Sequence, residues 1–495
     1  MKTLRTLAVS LLLLALAVGT ATAQTWQGLK NKAPFNAGAM LLLTDGRIMV
    51  HSEQASPQNW WTLTPDNTGS YVNGTWTQIA SMPTGYAPLY FGSVVLNTGI
   101  VVVEGGEYNN GSASWTNLGA AYNPKSNKWI SINPPSGWAQ IGDAPSAILP
   151  DGTYLQADCC DTPPKTALFN PSTKSWTTTG TGKFDVYDEE GLTLLPNGNL
   201  LDVDAYVFVY NSAGTNSEIY NTASGTWSSA GSTVKQLWDS AATCGGSGNA
   251  SFEEGPAVLR PDGTVFATGA NACGAGHTAI YNSSTGVWTA GPDFTGSLDV
   301  ADGPAALETN GNVIVMTSPG IFGTGAQFFE WNGSSLNTVA GPPNARVDSS
   351  FYGHFLELPT GQLLFTDFST DVEVFTPSGT YQTAWQPTIT RGPVNVTHGH
   401  SYQVQGTQFN GLSQGAAYGD DFQDATNYPL VRIVNNATGH AVYCRTHNHS
   451  SMGVQTGSTL VSTHFDVPTT IDTGASMLYV VANGIPSAPF AVNVQ

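Results

Sequence analysis

One short phrase recurs seven times along this chain and constrains its architecture more than any other feature: an apolar run, a tight turn ending in glycine, then a second apolar run. The turns end at Gly46, Gly99, Gly152, Gly198, Gly263, Gly311 and Gly361. Successive glycines are 53, 53, 46, 65, 48 and 50 residues apart, the period of kelch-like propeller blades. Asp-Gly or Asn-Gly between alternating apolar residues predicts a two-residue hairpin turn, since these pairs accept the positive φ such a turn demands. The fold class expected is therefore all-β, a seven-bladed kelch-type β-propeller.

A second repeat runs out of phase with the first. Tyr122 with Trp129, Phe169 with Trp176, Tyr220 with Trp227 and Tyr281 with Trp288 supply the third and fourth strands of their blades, each tryptophan packing between neighbours. Near the start, Thr25-Trp26-Gln27-Gly28 resembles Gly74-Thr75-Trp76-Thr77 with no complete blade before it. It is expected to form the outermost strand of the last blade, which leaves no long open edge.

The flanking segments divide the chain. Residues 1–23 combine Lys2 and Arg5, an apolar run and Ala21-Thr22-Ala23 before Gln24, the pattern of a secretory signal peptide. The propeller is expected over residues 24–386. The repeat register then ends, and 387–495 reads as short alternating strands at Tyr402 to Val404, Leu430 to Val434, Met477 to Ala482 and Phe490 to Val494, an immunoglobulin-like β-sandwich. The location expected is secreted, extracellular or periplasmic.

A formal net charge of −19, from 35 acids against 16 lysines and arginines, excludes nucleic acid and anionic membrane as partners. Five cysteines are too few for a disulfide framework. Cys244 and Cys273 flank the fifth hairpin and are expected to bridge. Cys159 and Cys160 leave open a vicinal disulfide, two thiols or a soft-metal site. Cys444 reads as a buried strand thiol.

Seven inner-strand starts surround the axis of a propeller at one face. The slot about seven residues before each turn holds Ala37, Tyr90, Asp143, Glu189 or Glu190, Glu254, Asp302 and Tyr352. Acids recur there in a chain that is only 10% charged. More acids, Glu104, Asp158, Asp161, Asp202, Asp204 and Asp367, close the second strands. Such acids either accept hydrogen bonds from loop amides, or raise one another's pKa for acid-base work, or bind a hard cation such as calcium. The candidate catalytic residues are Asp143, Glu190, Glu254 and Asp302. Tyr90, Tyr352, Glu189 and Glu253 are candidates for substrate binding, with a glycan or other small polar molecule as partner. His447 and His449, spaced to point one way from an extended segment, are candidate metal ligands with Tyr352.

This order of parts, with Ser476-Met477-Leu478-Tyr479-Val480-Val481-Ala482-Asn483-Gly484-Ile485-Pro486-Ser487 near the end, resembles the galactose oxidase and glyoxal oxidase superfamily. The resemblance implies a finger from the sandwich that rises into the propeller channel and gives copper a histidine, matched here by Thr446-His447. The family's Tyr-His pair falls on Phe351-Tyr352, its crosslinked tyrosine on an acid, and its crosslinking cysteine on none of the five. The expectation is thus a galactose oxidase-like protein that binds or acts on carbohydrate at an acidic axial site. The alternatives are a copper-dependent oxidase of primary alcohols or aldehydes with a rearranged metal site, and a non-catalytic extracellular binding protein. The cofactor stays open, with copper and calcium as the candidates.

Overall fold

The computed structural model describes residues 23–53, 56–207, 214–239, 251–271 and 274–495. The expected signal peptide lies almost wholly outside the described residues, as do Cys244, Cys273 and the bridge expected between them. All described regular structure is β apart from short 3₁₀ turns. No helix among these residues is long and apolar enough to cross a membrane.

Each glycine phrase folds into the first two strands of an antiparallel sheet, and among the described residues there are seven such sheets, six of four strands and the sixth in chain order enlarged to six. In the first, Ala37–Leu42, Ile48–Ser52, Trp60–Thr64 and Thr75–Gln78 follow in chain order. The next five sheets occupy residues 92–132, 146–179, 193–232, 254–290 and 305–339 in the same order. The seventh is stitched from both ends: His354–Glu357, Leu363–Thr366 and Glu373–Thr376 are completed by Thr25–Gly28, with Trp26 opposite Phe375. First strands of neighbouring sheets pack side by side at six of the seven junctions, including the seventh against the first; the third and fourth are the exception.

All seven turn glycines have φ between 76° and 91°. In every turn the glycine N–H donates to the carbonyl three residues back, as in Gly46 to Leu43 at 2.9 Å, while the next residue's carbonyl accepts from the strand end, as in Leu43 to Arg47 at 2.8 Å. Asp45 keeps a negative φ, so the loop is a type I turn closed by a glycine bulge, one residue longer than the two-residue turn expected. The third and fourth strands follow the aromatic repeat. Tyr122–Trp129, Phe169–Trp176, Tyr220–Trp227 and Tyr281–Trp288 are cross-strand pairs with ring centroids 5.0 to 5.4 Å apart. The indole N–H of Trp129 reaches back to Ala80 O at 2.9 Å, and that of Trp176 to Asn133 O at 2.8 Å. Trp129 and Trp176 thereby tie their sheets to the ones before, and each aromatic pair adds about 0.5–1.5 kcal/mol beyond area burial.

Residues after 387 build a nine-stranded array that includes Ser401–Thr407, Leu430–Asn435, Ala441–His447, Val461–Asp466, Gly474–Ala482 and Phe490–Val494. It seats on the turn end of the sheets: Thr446 N–H donates to Thr44 O, Arg445 Nη2 to Thr98 O, Met452 N–H to Pro150 O and Gln455 Nε2 to Arg260 O, at 2.7 to 3.0 Å. From this array one segment, 410–428, runs along the first strands. Ala416–Ala417 pairs antiparallel with Ala305 and Ala306 as a fifth strand on the sixth sheet. Cys159 and Cys160 form a vicinal disulfide, and Cys444 is a buried thiol on its strand.

Candidate functional site

At the end of the sheets opposite the turns, residues just ahead of the first strands converge on a cavity of about 290 Å³. Tyr90 precedes Gly92–Val95, Asp143 precedes Ser146–Ile148, Glu189 precedes Thr193–Leu194, Glu253 precedes Glu254–Leu259, and Asp302 precedes Ala305–Leu307. Glu107 and Tyr108 reach in from beyond the second sheet's second strand, Phe322 and Phe351 from the sixth and seventh, and Asp420 and Asp421 from the 410–428 segment. Among the described residues no lysine, arginine or histidine lines it.

Backbone geometry turns these side chains inward. Tyr90, Glu189 and Asp302 sit in the left-handed region at φ 51°, 61° and 50°, a conformation that costs about 1–3 kcal/mol for a residue with a Cβ. The strain is the consequence of rotating one residue out of strand register so that it faces the axis. Close approach of the 410–428 segment depends on Gly419, where a Cβ would come within 2.6 Å of Asp302 Oδ1.

Burial dominates the electrostatics. It pushes Glu253 up to about 8 and Glu107 up to about 7, with negative neighbours adding to both shifts. Asp143, Glu189, Asp302, Asp420 and Asp421 are likewise raised, by burial first and then by one another's charge. Glu189, Glu253 and Asp302 present oxygens within 4.8 Å of one another, close enough for each ionised group to disfavour ionisation of the next. Near neutral pH the pocket therefore holds protonated and ionised carboxyls together, donors beside acceptors. Asp143 Oδ1, Glu253 Oε2, Asp302 Oδ1 and Asp421 Oδ2 are buried without a hydrogen-bond partner. The vicinal disulfide borders the same region, its sulfurs within 4.8 Å of Asp143 and Asp188 oxygens.

Of the residues expected from the sequence, Tyr90, Asp143, Glu189, Glu253 and Asp302 come together here. Glu190 does not. It points the other way, 2.9 Å from Lys183 Nζ inside the fourth sheet, because successive residues entering a strand face opposite sides. Glu254 is turned from the cavity for the same reason, accepting Gly191 N–H at 3.0 Å. Tyr352 gives its place to Phe351 and packs against Phe351 and Phe368.

His447 and His449 lie at the turn end, far from the axis mouth, and do not meet Tyr352. Asn448 between them has φ 53°, which breaks the extended geometry that would have aimed both rings one way. His447 Nε2 faces Asp466 Oδ1 at 3.1 Å, whereas His449 is buried on Thr463 Oγ1 at 2.8 Å and stacks on Tyr428. Burial pulls His449 down to about 3, so it stays neutral. The part that enters the channel is 410–428, not the segment around His447. Glu107, Tyr108, Phe322, Asp420 and Asp421 escaped sequence reasoning because they lie outside the repeat slots, and Phe351 because the slot was read at its neighbour Tyr352. The Asp-Asp doublet closing the glycine-rich stretch 411–419 was the available signal.

No protein-family model matches the chain, and no curated protein matches it in sequence. Among solved structures, a fungal alcohol oxidase of the AA5 family, in complex with copper, is similar with TM-score 0.50 at 13% identity, over 97% of this chain and 100% of the other. The extracellular domain of a one-component system from B. thetaiotaomicron has TM-score 0.46 at 11% identity, over 77% of this chain and 44% of the other. The likeness to the oxidase is one of fold alone, an all-β architecture shared along nearly the whole of this chain. Its copper does not carry over. Among the described residues no group of three potential His, Cys or carboxylate ligands contains a histidine, and the axial pocket has no nitrogen donor for a soft or borderline metal.

Proposed function

We propose that this is a secreted galactose oxidase-like protein that binds or acts on carbohydrate at the acidic axial pocket. In this reading the seven sheets close as a kelch-type propeller over residues 24–386, and 387–495 forms an immunoglobulin-like sandwich whose 410–428 segment completes the pocket. The observation that carries it is the lining: seven carboxyl groups, Glu107, Asp143, Glu189, Glu253, Asp302, Asp420 and Asp421, beside Tyr90, Tyr108, Phe322 and Phe351, with no basic side chain. Sugar hydroxyls are both donors and acceptors, so a mixture of protonated and ionised carboxyls matches them, while the aromatic rings offer faces for the sugar's C–H surface. Nucleic acid and anionic membrane are repelled by the same charge.

If the bound sugar reacts, Glu253, pushed up to about 8, is suited to donate a proton, and Glu107, which titrates near 7, is suited to accept one. Oxidation through copper is not part of this reading, because the residues present do not form its ligand set.

A broad glycan array with a parallel assay for released or unsaturated sugar tests the proposal on the full chain and on Asp302→Asn. The expected result is binding or turnover of a defined glycan class, weakened about tenfold or more by the substitution. A folded wild type that neither binds nor converts any member of the panel would overturn it.

A further inference from the structure

The axial pocket gathers negative charge that no side chain around it balances. Seven carboxyl groups line about 290 Å³ of space, with no lysine, arginine or histidine beside them among the described residues. Three of the seven bring bare oxygens to that space from well inside the protein. Glu253 and Asp143 are 6% exposed and Asp421 is 0% exposed, and Glu253 Oε2, Asp143 Oδ1 and Asp421 Oδ2 have no hydrogen-bond partner, although buried polar atoms are ordinarily paired. Glu253 also converges with Glu189 and Asp302, one oxygen of each lying within 4.8 Å of the others. The second buried group of acids, in the fourth sheet, is different in kind. There Lys183 Nζ already occupies the space between the carboxylates, 2.5 to 3.5 Å from five of them, and leaves no room for another cation.

We propose that Glu189, Glu253 and Asp302 bind a hard divalent cation in the axial pocket, its remaining positions open to the cavity. The donors are carboxylate oxygens alone, a set that suits calcium, magnesium or manganese and not copper. Oxygens on opposite sides of such an ion are about 4–5 Å apart, so the convergence of the three groups admits calcium and magnesium alike. Space is sufficient: one water takes about 30 Å³ of liquid volume, and the cavity of about 290 Å³ holds an ion with several waters or with the hydroxyls of a bound molecule. Gly419 keeps the 410–428 segment close without crowding the ligands, since a Cβ there would stand 2.6 Å from Asp302 Oδ1. Glu253 cannot carry the ion and a proton at once, so any proton donation to a sugar belongs to the ion-free pocket. The inference stands apart from the carbohydrate reading, because it rests on the charge and the bare oxygens and not on what else the pocket takes.

Terbium luminescence from the chelator-treated full chain, with no sugar present, tests it. Terbium(III) enters hard-oxygen sites and is excited through nearby aromatic rings, here Tyr90 and Tyr108 in the cavity wall. Emission saturating at one equivalent is expected, displaced by calcium chloride or magnesium chloride, and the displacing salt should also raise the thermal unfolding midpoint. Glu253→Gln and Glu189→Gln should each weaken uptake about tenfold or more, and having two such variants covers the failure of either one to fold. Emission that never saturates, emission that neither salt displaces, or uptake unchanged in both variants overturns the proposal. Glycan binding without any cation uptake would sink this inference alone, whereas cation uptake without glycan binding would bear it out and sink only the carbohydrate reading.

Discussion

At the scale of single residues, the dominant theme is buried acid without a matching base, and it sets how stability responds to pH. Glu357, fully buried on the seventh sheet's first strand, accepts a hydrogen bond from Thr426 Oγ1 at 3.2 Å, and burial lifts it to about 8. An unfolded glutamate titrates near 4.3. Between those values the folded state keeps a proton that the unfolded state has lost, so the stability this residue contributes is full below about pH 4.3 and is lost as pH rises through about 8. Glu357→Gln mimics the protonated form and should narrow the gap in stability between pH 5 and pH 8 by at least about 1 kcal/mol. Urea unfolding at both pH values measures this, and an unchanged gap would show that Glu357 does not hold a proton. The recurrence of acids at strand starts was legible from the sequence, because counting back from seven equivalent turns brings out Asp143, Glu189 or Glu190, Glu254 and Asp302, one residue off the Glu253 that lines the pocket. Which of two adjacent acids faces the axis was not legible. It depends on a left-handed φ at Glu189, and an Asp-Glu-Glu string carries no sign of that. Asp420 and Asp421 stayed hidden because they reach the pocket from another part of the chain.

Among elements, the strand Thr25–Gly28 bears the most on closure. Its pairing with Glu373–Thr376 covers what would otherwise be a bare edge on the seventh sheet. Trp26 fixes it there: its ring meets Phe328, Phe355, Phe365 and Phe375 with centroids 4.9 to 6.3 Å apart, and its indole N–H donates to Ala340 O at 2.7 Å on the sixth sheet. Trp26→Ala removes a half-buried ring, a hydrogen bond and a link between two sheets. A loss of about 2–4 kcal/mol is expected, read from equilibrium unfolding, and a loss below about 1 kcal/mol would mean that the seventh sheet closes without this strand. The placing of this strand was readable because its Trp repeats the outer-strand phrase around Trp76. The turns were read one residue short, since Asp-Gly is compatible with both a two-residue loop and a type I turn with a glycine bulge, and the choice rests on strand twist rather than on residue type.

For the whole molecule, the question is whether residues after 387 form an appendage or part of the same cooperative unit. Their contacts favour the second. The array lies across the turns of four sheets through Thr44, Thr98, Pro150 and Arg260. The 410–428 segment is knitted into the first strands as well: Ala416–Ala417 extends the sixth sheet, Gln414 Oε1 accepts Leu194 N–H at 2.7 Å, and Tyr418 hydroxyl donates to Phe351 O at 2.9 Å. These bonds span the fourth, sixth and seventh sheets, and most are buried. Exposing them would leave unpaired backbone groups along the channel, each costing about 1–3 kcal/mol. One calorimetric unfolding transition is therefore expected for the full chain, with calorimetric and van't Hoff enthalpies in agreement. A chain ending at residue 386 should unfold at a markedly lower temperature and lose the glycan binding proposed for the pocket, because Asp420 and Asp421 go with the missing segment. Two separate transitions in the full chain, or a truncated chain as stable as the whole, would show instead that the sheets close the axis unaided and that the C-terminal segment only decorates it.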